Sequence, residues 1–120
     1  MKRLTLVFSA LILVLVPFYF AWAEEESETD DLTISSIMKS AHKGGLLKRV
    51  TGGSATDEDK QQLLDFYEAL AEIKPPMGDS REWAERTTAM IDAAKSAVGG
   101  DTSKLKRAVN CRDCHTYHKP

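Results

Sequence analysis

The chain has 120 residues, 42% of them hydrophobic, and a formal net charge of −2. This length is enough for one small domain. Lysine and arginine are scattered along the chain, which excludes nucleic acid as an expected partner, because phosphate binding needs a concentrated basic surface. The sequence has no run of alternating apolar and polar residues that would predict a half-buried strand.

The first 23 residues have the pattern of an export signal. Lys2 and Arg3 precede an almost wholly apolar run, 4–20, and the segment 21–23 (AWA) offers small residues at the two positions that a signal peptidase reads. We therefore predict a signal peptide over 1–23 and a mature protein that is periplasmic or otherwise exported. The alternative is an uncleaved membrane anchor, because about 17 apolar residues lie at the short end of the spanning range.

Two regions follow this signal. Residues 24–31 (EEESETDD) are predicted to be a flexible acidic lead-in, since they carry no apolar side chain to bury. Residues 32–120 are predicted to form one domain, in which apolar residues recur at the helical spacings of three and four.

The first predicted helix of this domain has Asp31 as its N-cap and ends near 51–53. Gly44 and Gly45 are expected to bend or loosen it. Its apolar positions are Ile34, Ile37, Met38, Ala41, Leu46 and Leu47.

The second and third predicted helices have clear start and stop signals. Thr56 is a candidate N-cap, and the acidic residues 57–59 suit the positive end of a helix dipole. Pro75 ends the second helix, Asp79 begins the third, and Gly99-Gly100 closes it. The predicted inward positions are Leu63, Phe66, Tyr67, Leu70 and Ile73 on the second helix, and Trp83, Thr87, Met90, Ile91, Ala94 and Val98 on the third.

A fourth helix is predicted from Asp101 or Thr102, with Leu105, Ala108 and Val109 leading into two cysteines at its end. Four amphipathic helices with short connections predict an all-α fold, specifically an antiparallel four-helix bundle.

The sequence Cys111-Arg112-Asp113-Cys114-His115 is the most informative motif of the chain. On a helix, residues three and four apart share a face, so both thiols and the imidazole point the same way. The thiols can then form thioethers with the two vinyl groups of a haem, while His115 binds the iron from one side. The motif therefore predicts one covalently attached haem c near the C-terminus.

Two other interpretations of the cysteines fit less well. A thioredoxin-like redox pair begins a helix after a strand, in a βαβ context that this sequence lacks. A zinc site from Cys111, Cys114, His115 and His118 has suitable ligand types, but all four fall within eight residues.

The second axial ligand of a haem must come from another helix, because it approaches the opposite face. His118 is excluded, since it lies one turn from His115 on the same helix. Met38 and His42 remain, four residues apart on the first helix. A third alternative leaves the iron without a strong protein ligand on that side, and Met38 is then an ordinary core methionine.

A helical bundle with C-x-x-C-H at its extreme C-terminus resembles the class II c-type cytochromes, the cytochrome c′ family and its low-spin relatives. Lys119, four residues after His115, matches a basic residue common near the proximal histidine of that family. The segment 37–39 resembles the one in which the low-spin relatives carry a methionine ligand, so the resemblance implies Met38 as the distal ligand. The arginine usual one turn before that methionine is replaced here by Ile34.

These features predict an electron-transfer protein, not an enzyme. Its haem iron is expected to cycle between the ferric and ferrous states, and the protein is expected to bind redox partners transiently. The alternative function is a five-coordinate haem protein that binds small diatomic gases. The sequence leaves open whether two bundles pair as a homodimer.

Overall fold

The computed structural model describes residues 32–120. The predicted signal peptide (1–23) and acidic lead-in (24–31), with the candidate N-cap Asp31, lie outside the described residues.

The described residues are helical and contain no strand, which confirms the all-α class. The helices are α1 (Ile34–Ile37), a π-helix (Met38–Lys43), α2 (Leu46–Gly52), α3 (Asp57–Glu72), α4 (Ser80–Val98), α5 (Leu105–Ala108) and α6 (Cys111–His118). Within 32–120, no helix is both long enough and apolar enough to cross a membrane.

The two long helices begin and end where the sequence predicts. Thr56 caps α3 by accepting a hydrogen bond from the Asp59 N–H, and Asp79 caps α4 by accepting one from the Glu82 N–H. The C-cap residue of α3 is Ile73, two residues before Pro75, and that of α4 is Gly99. Each of these end signals is local, so the sequence is sufficient to read it.

The first predicted helix is divided into three parts. Its N-cap is Thr33, whose side chain forms a reciprocal capping box with Ser36. Gly45 adopts a left-handed conformation (φ 81°) between the π-helix and α2, which breaks the helix where a bend was expected.

The fourth predicted helix is also divided, and the prediction that the cysteines end it is wrong. Val109 and Asn110 leave the helical conformation between α5 and α6, so Cys111 begins a new helix. Neither Asp101 nor Thr102 caps a helix, because α5 begins after Lys104. The Asp101 carboxylate accepts hydrogen bonds from the Ser103 N–H and hydroxyl instead. Asn110 caps α6 because its side-chain oxygen can replace the missing backbone acceptor.

The core lies mainly between α3 and α4, which share the most extensive contact in the fold. Helices α1 and α2 pack on α3, and α5 packs on α4. One predicted core position is wrong: Val98 is exposed, and Ala97 is fully buried in its place. The largest fully buried apolar side chains are Tyr67, Ile37, Leu63, Leu70, Leu105 and Val50.

Candidate functional site

The three residues of the C-x-x-C-H motif lie in the first five positions of α6. Asn110 positions this turn, because its Oδ1 accepts the Asp113 N–H at 3.1 Å and its Nδ2 donates to the Asp113 carboxylate at 2.8 Å. Both cysteines are free thiols; Cys111 is exposed and Cys114 is half-buried. His115 is exposed as well.

All three residues line one cavity of about 160 Å³. Its walls come from the π-helix, α3, α4 and the α5–α6 segment, so it lies where the short C-terminal helices meet the long pair. Most of its lining is apolar, including Leu70, Trp83, Met90, Ala108 and Val109.

Met38 and His42 line this same cavity. The structure therefore brings both predicted candidates for the distal ligand together with Cys111, Cys114 and His115. Met90, a core methionine, also lines it, whereas the side chain of Met77 is exposed in the turn before α4.

A second cavity of about 460 Å³ adjoins the first and shares lining residues with it: Met38, Lys43, Trp83, Cys114 and His115. Lys39, Lys43 and Lys119 contribute cationic side chains to its wall. The site thus has an apolar part beside the thiols and a part with positive charge.

Met38 and His42 lie on a π-helix rather than on a regular α-helix. The wider turn is closed by a hydrogen bond from the Gly44 N–H to the Lys39 carbonyl oxygen at 2.7 Å. A π-helical turn changes which side chains face inward and often occurs at functional sites. Both candidate ligands project into the cavity from this one turn.

His42 is held by Tyr67. Its Nε2 lies 3.2 Å from the Tyr67 hydroxyl, and the two rings meet edge to face with centroids 6.0 Å apart. Burial lowers the pKa of His42 below its ordinary value, and the charge of His115 lowers it further. His42 is therefore a neutral imidazole at neutral pH.

His118 has a structural role that the sequence did not indicate. It is buried, and its ring packs edge to face on Trp83 with centroids 5.2 Å apart. Its Nδ1 lies 3.1 Å from the Met77 carbonyl oxygen, and since a carbonyl only accepts, Nδ1 donates. Within 32–120 there is no cluster of three or more His, Cys, Asp or Glu side chains that could hold a metal ion.

Trp83 and Arg86 connect α4 to the rest of the site. The indole N–H of Trp83 donates to the Ile73 carbonyl oxygen at 2.9 Å, which ties α4 to the end of α3. The Arg86 guanidinium forms an ion pair with Glu82 at 2.7 Å and lies over the Tyr117 ring at 5.4 Å, which ties α4 to α6.

The sequence did not single out several of these residues as part of a site. The contact of Arg86 with Tyr117 and the pairing of Tyr67 with His42 have no local signal, because the two residues of each pair are 25 or more positions apart. The start of α6 did have one: Asn110 followed three residues later by Asp113 is a helix N-terminal pattern.

The two thiols differ in environment. Burial raises the pKa of the Cys114 thiol above its ordinary value. The half-buried Cys114 is therefore a neutral thiol at neutral pH.

The donor set of this cavity suits one haem c. Two thiols three residues apart can form both thioethers, His115 supplies an imidazole, and Met38 or His42 supplies a donor from a different helix. The apolar side chains of the first cavity would pack on a macrocycle, and the lysines of the second cavity would pair with its two carboxylates.

Comparison of the chain with protein-family models, with curated proteins and with solved structures found no match in any of the three.

Proposed function

We propose that this protein is an exported monohaem c-type cytochrome that transfers electrons and transforms no substrate. The proposal depends on one observation: a single cavity is lined both by Cys111, Cys114 and His115 of α6 and by Met38 of the π-helix. A chance pair of thiols has no reason to share a cavity with two different iron ligands from separate helices.

The residues have distinct roles in this proposal. Cys111 and Cys114 would hold haem c through thioethers, and His115 would be the proximal ligand. Met38 would be the distal ligand, and a methionine sulfur opposite an imidazole raises the reduction potential relative to two nitrogen ligands. Bound haem would supply a one-electron ferric–ferrous couple.

The surrounding side chains would control access to the site. Leu70, Trp83 and Met90 are buried side chains that would exclude water from the apolar part. Lys39 and Lys119 are exposed and line the second cavity, where they would meet the haem carboxylates. Contacts with redox partners are then expected to be small and transient.

We further propose that the domain 32–120 is an antiparallel four-helix bundle of the cytochrome c′ type. The long contact between α3 and α4 across a short connection supports this arrangement. Removal of the signal peptide 1–23 would release the mature protein outside the cytoplasm, where haem c is attached.

The first test is covalent haem attachment. The protein is expressed for export together with haem-attachment machinery, beside the Cys111→Ser/Cys114→Ser variant. We expect wild type to gain the mass of one haem and the variant to gain none. A colourless wild-type protein that contains zinc would contradict the proposal and favour the zinc-stapled alternative.

The second test is the distal ligand. Ferric wild type should be low-spin, with the weak far-red band of methionine–iron coordination, and Met38→Ala should lose that band. Met77→Ala is the matched control, because Met77 is 42% exposed in the turn before α4, and it should keep the band. A high-spin ferric spectrum that changes with carbon monoxide after reduction would instead favour gas binding.

A further inference from the structure

The hydrogen bond between Tyr67 and His42 bears on which side chain of the π-helix can bind iron. Met38 and His42 both line the cavity that contains Cys111, Cys114 and His115. The cavity therefore offers two different donors, a thioether and an imidazole, to the same side of a haem. Imidazole is a good ligand for iron in both oxidation states, so a free His42 would compete with Met38.

The direction of the Tyr67–His42 hydrogen bond follows from burial. Tyr67 is fully buried, and burial raises the pKa of its hydroxyl, which stays protonated at all ordinary pH values. If His42 Nε2 carried the proton, the Tyr67 O–H would be buried without an acceptor among the described residues. A buried donor without a partner is costly, so the Tyr67 O–H donates and Nε2 accepts.

This direction fixes the state of the imidazole. With Nε2 accepting from Tyr67 at 3.2 Å, the proton of neutral His42 must be on Nδ1. The lone pair of Nε2 is then engaged by Tyr67, and Nδ1 has none to offer. Neither nitrogen of His42 is available to a metal while the Tyr67 hydroxyl is in place.

We propose that Tyr67 is a positioning residue that selects the haem ligand: its hydroxyl holds His42 away from the iron and leaves that side to Met38. This inference rests on the proposed function, because it presupposes haem on Cys111 and Cys114. It goes beyond that function by assigning the choice of ligand to a side chain on α3 that does not itself coordinate iron.

The position of Tyr67 in the fold suits it to hold His42. Tyr67 lies on α3, which shares the most extensive helix–helix contact of the fold with α4, and its ring is part of the core. Its hydroxyl position is therefore fixed by packing, whereas the half-buried His42 lies on a short π-helix that ends at a glycine. Of the two partners, the histidine is the one less enclosed by packing.

The test compares ferric absorption spectra and reduction potentials of four haem-loaded proteins: wild type, Tyr67→Phe, Tyr67→Phe/His42→Leu and Tyr117→Phe. In Tyr67→Phe, the freed Nε2 should displace the methionine. We expect the far-red methionine band to weaken by roughly 2- to 10-fold or to vanish, the range that one net hydrogen bond supplies. The protein should stay low-spin, and its reduction potential should fall.

The double variant separates ligand choice from a structural effect. Tyr67→Phe/His42→Leu removes the competing imidazole as well, so the methionine band and the higher potential should return. Tyr117→Phe removes a hydroxyl from a ring that is 50% exposed on α6 and should leave the band unchanged.

Each remaining outcome is decisive. A band of wild-type strength in Tyr67→Phe, or a band that stays lost in the double variant, overturns the role of Tyr67 while covalent haem attachment still supports the proposed function. No covalent haem in wild type overturns the proposed function itself. Attached haem without a methionine band in wild type overturns the assignment of Met38 and this inference together.

Discussion

At the scale of single residues, Gly78 lies where the turn before α4 comes closest to α6. Its φ is +87°, a conformation that residues with a side chain rarely adopt. A Cβ at this position would also collide with the Tyr117 carbonyl oxygen and lie 2.8 Å from His118 Nδ1. The glycine therefore allows the contact in which His118 donates to the Met77 carbonyl oxygen and α6 is held against α4.

We expect Gly78→Ala to lower the free energy of unfolding by about 2 kcal/mol or more, because conformational strain and steric overlap add. Urea denaturation measures the change. Gly53→Ala is the matched control: Gly53 has a similar φ of +79° but nothing within 4 Å of the added Cβ, so it should carry only the strain, about 1 kcal/mol. Equal losses in the two variants would show that the close approach to α6 contributes nothing.

At the scale of helices, the sequence predicts the caps of α3 and α4 but not the divisions within the first and fourth predicted helices. Thr56 and Asp79 are each followed by a long amphipathic helix, so local propensity and core packing agree there. The apolar residues before Asn110 predict that the fourth helix continues into the cysteines. The helix is interrupted there because the Asn110 side chain caps a new helix, α6, and this cap competes with extension of α5.

Asp59 joins two helices at their ends. Its carboxylate accepts two hydrogen bonds from Arg49 of α2, at 3.0 and 3.3 Å, and one from the Thr56 N–H at 3.2 Å. The hydrogen bond from Arg49 is the main reason that the pKa of Asp59 lies below its ordinary value of 3.8. The ionised carboxylate is thus favoured in the folded protein, and this contribution to stability is present above pH 4.

We expect Asp59→Asn to be less stable than wild type near neutral pH. As the pH falls below 4 and through the lowered pKa of Asp59, wild type should lose this advantage, and the two stabilities should converge. Chemical denaturation between pH 2 and 7 measures both curves. Asp92→Asn, at an exposed position on α4, should follow wild type over the whole range; a parallel offset of Asp59→Asn that persists at pH 2 would contradict the role of the charge.

At the scale of the whole molecule, the apolar core is continuous between α3 and α4 and stops at a cavity beside α6. Leu105 is fully buried and anchors α5, while Val109 and Ala108, further along, line the cavity. A small domain with apolar side chains around such a space gains stability when a group fills it.

We therefore expect the haem-loaded protein to resist denaturation better than the Cys111→Ser/Cys114→Ser variant. At about 24 cal/mol per Å³, filling a cavity of about 160 Å³ corresponds to at most about 4 kcal/mol, and less where the cavity opens to water. Wild type produced without haem-attachment machinery is the control and should match the variant. If haem-free wild type were as stable as the loaded protein, haem would not complete this core.

Much of the site was predictable, because its strongest signal is local. The spacing of Cys111, Cys114 and His115 follows from the geometry of one helical turn, and the pairing of Met38 with His42 on one face needed only their separation. The contributions of Arg86 and Trp83 could not be predicted in the same way, since their roles depend on contacts with α6 and α3 that no short segment encodes.

The sequence by itself determined the helical class, the ends of the two long helices and the C-x-x-C-H spacing of Cys111, Cys114 and His115. Each of these depends on side-chain periodicity or on capping within a few residues. Only the tertiary structure decided that Met38, His42 and the motif line one cavity, and that Tyr67 engages His42. Those relations join residues that are 25 or more positions apart, and packing between helices, not local propensity, brings them together.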